Sequence, residues 1–332
     1  MNEIEILQSK IEAAQQILIS THVGPDGDAV GSSLGLWHYL NNIGKKATIV
    51  VPTEYPAFLN WLPAVESILV HSEAKEECEK VAANADLIFC LDYNETKRTA
   101  KFQTAIDDSD AYKVLIDHHI GEPTWQDLNL SVVGASSTCE LVFDVLHRLE
   151  SNNDFLTKEI AYSLYTGLLT DTGNFQFSAT TPRVHHVAAE LMAAGVEADI
   201  VHNHINNSFS ENRLKFFGFC IAKKMKIVPE KNLSYMFISL DEMQEYNIVT
   251  GGTEGLVNEP MKINGIDVSV LFKEDKDKIK ISFRSKRDID VSAFSRSFFE
   301  GGGHRNAAGG VSFLSWEETE ANFLKNLTSL AC

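Results

Sequence analysis

Acidic and imidazole side chains recur where apolar runs stop. The stretch "THVGPDGDAVGSS" (21–33) carries His22, Asp26 and Asp28; Asp92 closes "DLIFCLD" (86–92); "YKVLIDHH" (112–119) ends in Asp117, His118 and His119; and "LLTDTGNF" (168–175) carries Asp171. Polar groups buried at a strand end cost roughly 1–3 kcal/mol each when nothing pairs with them. His22, Asp26, Asp28, Asp92, His118 and Asp171 together offer two imidazoles, four carboxylates and no sulfur. Hard oxygen donors with some imidazole suit Mn²⁺ or Mg²⁺ better than structural zinc, with Fe²⁺ or Co²⁺ as substitutes. Carboxylates brought together repel one another and take up protons unless cations lie between them. Two divalent ions remove that conflict. Taken alone, 21–33 reads equally well as a Pro-Asp-Gly turn with an N-cap aspartate.

The elements that must position these groups are short apolar runs alternating with helix-period stretches. The runs are "ILIST" (17–21), "ATIVV" (47–51), "ESILV" (66–70), "DLIFCLD" (86–92) and "YKVLID" (112–117), with a helix from about Ala29 to Gly44 among them. Such alternation predicts an α/β fold whose N-terminal, mostly parallel sheet is flanked by helices, with function at the carboxyl ends of its strands. Helical patterns dominate from about Ser137 to Lys223, and "VEADIVHNHINNSFSENRLKF" (196–216) is polar, with no clear strand. The expected organisation is therefore a first domain over 1–195, a helical connector over 196–216 and a smaller α/β domain over 217–332. In that second domain strands are expected near 224–228, 234–240, 266–273 and 278–285, and helices near 290–300 and 316–330.

Length and charge narrow the field. At 332 residues and 44% apolar composition the chain can build two cores. A net charge of −17, from 29 basic and 46 acidic residues, disfavours a protein that tracks along duplex DNA by neutralising phosphates. The five cysteines are scattered without a C-x-x-C pair, which argues against a disulfide framework or thiolate zinc site. No charged-then-apolar leader and no run of some eighteen apolar residues occurs, so the expected location is cytoplasmic and no membrane partner is expected.

The succession H-x-x-x-D-x-D, an isolated Asp after a strand, D-H-H and "DTG" resembles the four motifs of the DHH phosphoesterase superfamily, and "GGGHRNAAGG" (301–310) resembles the glycine-rich signature of its DHH-associated second domain. The two-domain form is similar to the NrnA-like branch, nano-RNases that also dephosphorylate 3′-phosphoadenosine 5′-phosphate (pAp). The resemblance implies Mn²⁺-dependent hydrolysis of short single-stranded oligoribonucleotides to mononucleotides, and of pAp to AMP, in a cleft between the domains. It implies that His22, Asp26 and Asp92 hold one ion, and Asp28, Asp92, His118 and Asp171 the other, so that Asp92 bridges; Mg²⁺ or Co²⁺ are alternatives. It gives Asp117 an orienting role and places His119 at the phosphate or leaving oxygen.

An acidic chain must supply cations locally to bind such substrates. Gly302 and Gly303 let backbone N–H groups approach an anion, His304 and Arg305 add donors beside them, and Arg284 can grip a phosphate bidentately. Ser137 either touches substrate or caps a helix, and Arg98 either meets a phosphate or is solvated. His185-His186, His202 and His204 read as surface or packing histidines. The same motifs also suit a linear or cyclic dinucleotide, pyrophosphate, or a regulator that binds nucleotides without cleaving them, and a homodimer is compatible with the sequence.

Overall fold

The computed structural model describes residues 2–330 other than 152 and 250. The chain divides into two compact units between Ser208 and Phe209.

Six strands, β1 (Ile17–Ser20), β2 (Ala47–Val51), β3 (Leu69–Val70), β4 (Leu87–Leu91), β5 (Tyr112–Ile116) and β6 (Leu128–Asn129), form the sheet of the first unit. All pair in parallel, in the order β3-β2-β1-β4-β5-β6. The helices are α1 (Glu3–Ala13), α2 (Gly27–Asn42), α3 (Lys75–Asn84), α4 (Gln103–Asp107), α5 (Thr138–Glu150), α6 (Lys158–Asp171), α7 (Pro182–Ala193) and α8 (Ala198–Asn206). Strand side chains alternate between faces. Ile17, Ile19, Phe89 and Val114 pack with α1, α2, α5 and α6, while Leu18, Ile88, Cys90 and Leu115 pack with α3, Phe102 and Ile106. Burial on both faces is why these strands read as unbroken apolar runs. The strand order reverses between β1 and β4, and in an open parallel sheet that reversal leaves a crevice at the carboxyl ends.

Two helices, α2 and α6, pack closely against each other. Gly27, Gly31 and Gly35 recur every four residues on one face of α2, where a methyl would overlap Thr170, the Ser163 main-chain oxygen and Leu164 of α6, respectively. On α6, a Cβ at Gly167 would lie 2.9 Å from Asp28 Cα and 3.0 Å from Asp28 Oδ1, and would overlap Cys139 Sγ. The small residues thus bring the start of α2 against the end of α6.

In the second unit, β7 (Lys226–Val228), β8 (Leu233–Ile238), β9 (Val268–Asp275), β10 (Lys278–Ser285), β11 (Gly302–His304) and β12 (Ala307–Ser312) form a mixed sheet in the order β11-β12-β10-β9-β8-β7. Only β8 and β9 are parallel among these pairs of described residues. Its helices are α9 (Glu211–Phe219), α10 (Leu240–Glu245), α11 (Val291–Phe298) and α12 (Trp316–Asn326). The core is aromatic, with Phe272, Phe283, Phe294, Phe299 and Phe323 in edge-to-face and tilted contacts.

One local expectation differs from the structure, and two further elements were not anticipated. "ESILV" is divided between a 3₁₀ turn (Val65–Ser67) and the two-residue β3. The two-residue β6 had no sequence signal. The glycine-rich stretch 301–310 is a hairpin whose strands pair Gly302 with Gly309, Gly303 with Ala308 and His304 with Ala307. Its glycines also have a packing reason: a Cβ at Gly303 would sit 2.7 Å from Ala307 O, and one at Gly310 would sit 2.9 Å from Phe299 O. Cys78, Cys90, Cys139 and Cys220 are buried and free, and Cys332 lies outside the described residues. Among the described residues no helix is long and apolar enough to cross a membrane.

Candidate metal centre

The acids and imidazoles converge at the carboxyl ends of β1, β4 and β5. His22 follows β1; Asp92 leaves β4 with a left-handed backbone (φ 65°), a conformation aspartate tolerates better than most residues. Its N–H still donates to Ile116 O at 3.1 Å. Asp117, His118 and His119 follow β5. Asp26 caps α2, its Oδ1 accepting from the N–H groups of Asp28 (3.0 Å) and Ala29 (3.1 Å), and so sets the helix start at Gly27. Asp171 is the last residue of α6.

Donor atoms of His22, Asp26 and Asp92 lie within 4.8 Å of one another, and so do those of Asp28, Asp92 and His118. Asp92 belongs to both groups: its Oδ2 is 3.2 Å from His22 Nε2, and its Oδ1 is 3.4 Å from His118 Nε2. Asp171 joins the second group, with Oδ2 3.5 Å from His118 Nε2. Both imidazoles are turned the same way. His22 Nδ1 faces Val23 O at 3.0 Å and His118 Nδ1 faces Ala135 O at 3.2 Å, so a main-chain carbonyl fixes each ring and leaves Nε2 for the acids. His119 is turned otherwise: its Nδ1 is 2.6 Å from Oδ1 of the buried Asp117.

The first turn of α5 faces the same acids. Asp28, fully buried, accepts from Thr138 N–H (Oδ2, 2.7 Å) and Cys139 N–H (Oδ1, 2.9 Å), and Asp92 Oδ1 accepts from the Thr138 hydroxyl at 3.0 Å. A helix N-terminus favours negative charge there. Two of the acids, Asp28 and Asp171, nevertheless hold protons more tightly than free carboxylates do. Burial and Asp92 push Asp28 up to about 7 against the pull of His118, and burial with Asp28 pushes Asp171 well above the usual carboxylate range. Burial works to raise Asp92 as well, but hydrogen bonds from His118 and His22 outweigh it and hold Asp92 well below that range. Burial works to lower His118, but Asp92 and Asp171 push it up to about 11, and Asp92 likewise raises His22. Protons thus do the charge balancing that cations do in a loaded site, and the donor set fits hard divalent ions.

The residues assigned to substrate fall in several places. Ser137 is the N-cap of α5, its hydroxyl accepting from Glu140 N–H at 3.1 Å, which is the capping role. Arg98 is half-buried, its main-chain oxygen accepts from Val23 N–H at 2.7 Å, and its charge opposes protonation of His22. Arg284 lies on β10 with Nη1 donating to Phe283 O at 2.9 Å; Gly302, Gly303 and His304 form β11; Arg305 follows it and donates to Asp288 O at 2.7 Å. Among the histidines set aside, His204 stacks on Trp61 and His185 packs against Phe175. Two contributors carry no clear sequence signal: the Thr138 hydroxyl, whose importance depends on Asp92 lying beside it, and Gly167, whose importance depends on what α2 places opposite it.

Residues 16–168 match the DHH family, N-terminal domain, and residues 232–331 match the DHHA1 domain. Sheet order, strand-end acids and this pair of domains define a DHH–DHHA1 protein. The bifunctional oligoribonuclease and PAP phosphatase NrnA of Thermus thermophilus is 32% identical over 297 residues, covering 88% of this chain and 83% of that one. The protein of the same name from Bacillus subtilis is 29% identical over 92% of this chain and 91% of its own. The crystal structure of an exopolyphosphatase-related protein from Bacteroides fragilis has a TM-score of 0.93 at 34% identity, covering 98% of this chain and 96% of that chain. The chain belongs to the DHH family and, within it, to the group of the NrnA proteins.

Proposed function

We propose that this chain is a divalent-metal-dependent phosphoesterase that hydrolyses short oligoribonucleotides to mononucleotides and pAp to AMP and phosphate. The observation that carries the reading is the sharing of Asp92 by two groups of hard donors at the carboxyl ends of a doubly wound sheet. In this reading His22, Asp26 and Asp92 hold one ion, and Asp28, Asp92, His118 and Asp171 the other, with Mn²⁺ the favoured metal and Mg²⁺ or Co²⁺ as alternatives. Bound divalent cations supply Lewis acidity for attack of water on phosphorus and charge to stabilise the phosphoryl oxygens.

His119 has a different task. Asp117 holds its Nδ1 at 2.6 Å, which orients the ring, and in this reading Nε2 carries a proton to the leaving oxygen. Arg98 supplies positive charge near His22, and Arg284, Gly302, Gly303, His304 and Arg305 of the second unit supply anion donors for a nucleotide phosphate. Ser137 acts through α5, holding the helix whose first turn meets Asp28.

The test is a substrate panel with the purified chain and Mn²⁺: pAp, di- to pentaribonucleotides, cyclic di-AMP and pyrophosphate. Turnover of pAp and the short oligomers is expected, and Asp92→Ala, folded as judged by its melting curve, is expected to lose at least about 10³-fold in rate. Substantial activity in Asp92→Ala removes the shared-ligand reading. Turnover of pyrophosphate or cyclic di-AMP alone overturns the substrate assignment.

A further inference from the structure

Thr138 meets both central aspartates with two different donors. Its N–H reaches Asp28 Oδ2 at 2.7 Å, and its hydroxyl reaches Asp92 Oδ1 at 3.0 Å. The side chain is fully buried. Capping does not explain the hydroxyl, because Ser137 already accepts the Glu140 N–H at the start of α5. Nor does ordinary helix chemistry, in which a threonine hydroxyl bonds back to the preceding turn.

Asp92 has to present one oxygen to each donor group, Oδ2 toward His22 and Oδ1 toward His118. The terminal torsion of an aspartate is broad, so the carboxylate plane is not fixed by its own rotamer. In the metal-free protein the two imidazoles help to fix it. Once His22 Nε2 and His118 Nε2 turn their lone pairs to ions they stop donating to Asp92, and the Thr138 hydroxyl is a donor that persists. We infer that Thr138 is a positioning residue: its hydroxyl pins the carboxylate plane of Asp92 so that each oxygen serves one of the two donor groups. This rests on the metal-binding reading above.

The experiment compares the full-length wild type with Thr138→Val and Thr138→Ser. Valine keeps the β-branch and the N–H to Asp28 and removes only the hydroxyl; serine restores it. Calorimetric titration of each metal-free protein with Mn²⁺ alone is combined with melting curves and with kcat and KM on pAp at saturating Mn²⁺. Thr138→Val is expected to weaken Mn²⁺ binding about 10–100-fold and to lower kcat with little change in KM, and Thr138→Ser to return affinity to within about threefold of wild type. Wild-type Mn²⁺ affinity in Thr138→Val, whatever its melting temperature, overturns this inference alone. A wild type that binds no Mn²⁺ overturns the metal reading and the inference with it.

Discussion

A single methyl group placed between α2 and α6 tests how closely the site depends on that crossing. In Gly167→Ala the new carbon stands 2.9 Å from Asp28 Cα and 3.0 Å from Asp28 Oδ1, where ordinary contact begins at 3.4 Å, and it overlaps Cys139 Sγ outright. Relief requires Asp28 to retreat by about 0.5 Å, from 2.9 Å to ordinary contact at 3.4 Å, and the start of α5 to retreat with it. Alanine gains about 0.8–1 kcal/mol over glycine as a helix former, while overpacking costs about 1–3 kcal/mol. The net destabilisation is therefore small, about 0–2 kcal/mol, or a few degrees in melting temperature for a unit of this size. Catalysis suffers far more, because a displacement near 1 Å in a positioned group costs about 10²-fold. The assay is initial rate on pAp with saturating Mn²⁺ beside a thermal melt, with Gly218→Ala on α9 as control: a Cβ there meets nothing within 4 Å, and unchanged activity is expected. If Gly167→Ala keeps the wild-type rate and Mn²⁺ affinity, the close crossing does not set the geometry of Asp28.

The proton load of the metal-free site gives a second prediction. His118, pushed up to about 11, and Asp28, pushed up to about 7, must both be deprotonated to ligate. Mn²⁺ affinity should fall as pH falls, by at least about tenfold per unit because His118 holds its proton throughout this range, and more steeply below pH 7, where Asp28 holds one too; calorimetry in buffers of different ionisation heat should show proton release, and constant affinity from pH 6 to 8 refutes it. Stability follows the same shifts. The raised value of His118 contributes in full below its ordinary 6.5 and is lost as pH rises toward 11, and the raised value of Asp28 makes folding less favourable as pH climbs from 3.8 to 7. The metal-free chain should therefore melt lower at pH 9 than at pH 6, with Mn²⁺ giving its larger increment at pH 9. His119→Gln should reduce kcat by about 10²–10⁴-fold while leaving Mn²⁺ affinity unchanged; a comparable loss of affinity would instead make His119 a ligand.

What the sequence disclosed, it disclosed through contrast. An apolar run buried on both faces that ends in Asp117-His118-His119 is legible because burial and charge conflict at one point, and the same holds for Asp92 after β4. The α/β alternation was legible because central parallel strands leave no polar face. Contributions that depend on the opposite partner were hidden. Gly167 matters because Asp28 and Cys139 lie across from it, and the Thr138 hydroxyl because Asp92 comes within 3.0 Å. The strands β11 and β12 carry no strand signal in sequence because glycine and alanine have little β propensity of their own; their pairing with each other and of β12 with β10 supplies the order that composition does not.

The ligands assigned to the two ions run from His22 to Asp171, the last turn of α6. A nascent chain thus has no complete nest until just over half of it has been synthesised and α6 has docked on α2. In that reading, ion capture follows the docking of α6 and does not wait for α7 and α8. An ion that recognises the folded chain alone adds about 4.1 kcal/mol to its stability at a thousand times its dissociation constant, so in the proposed reading metal supply bears on the survival of the protein as well as on its turnover.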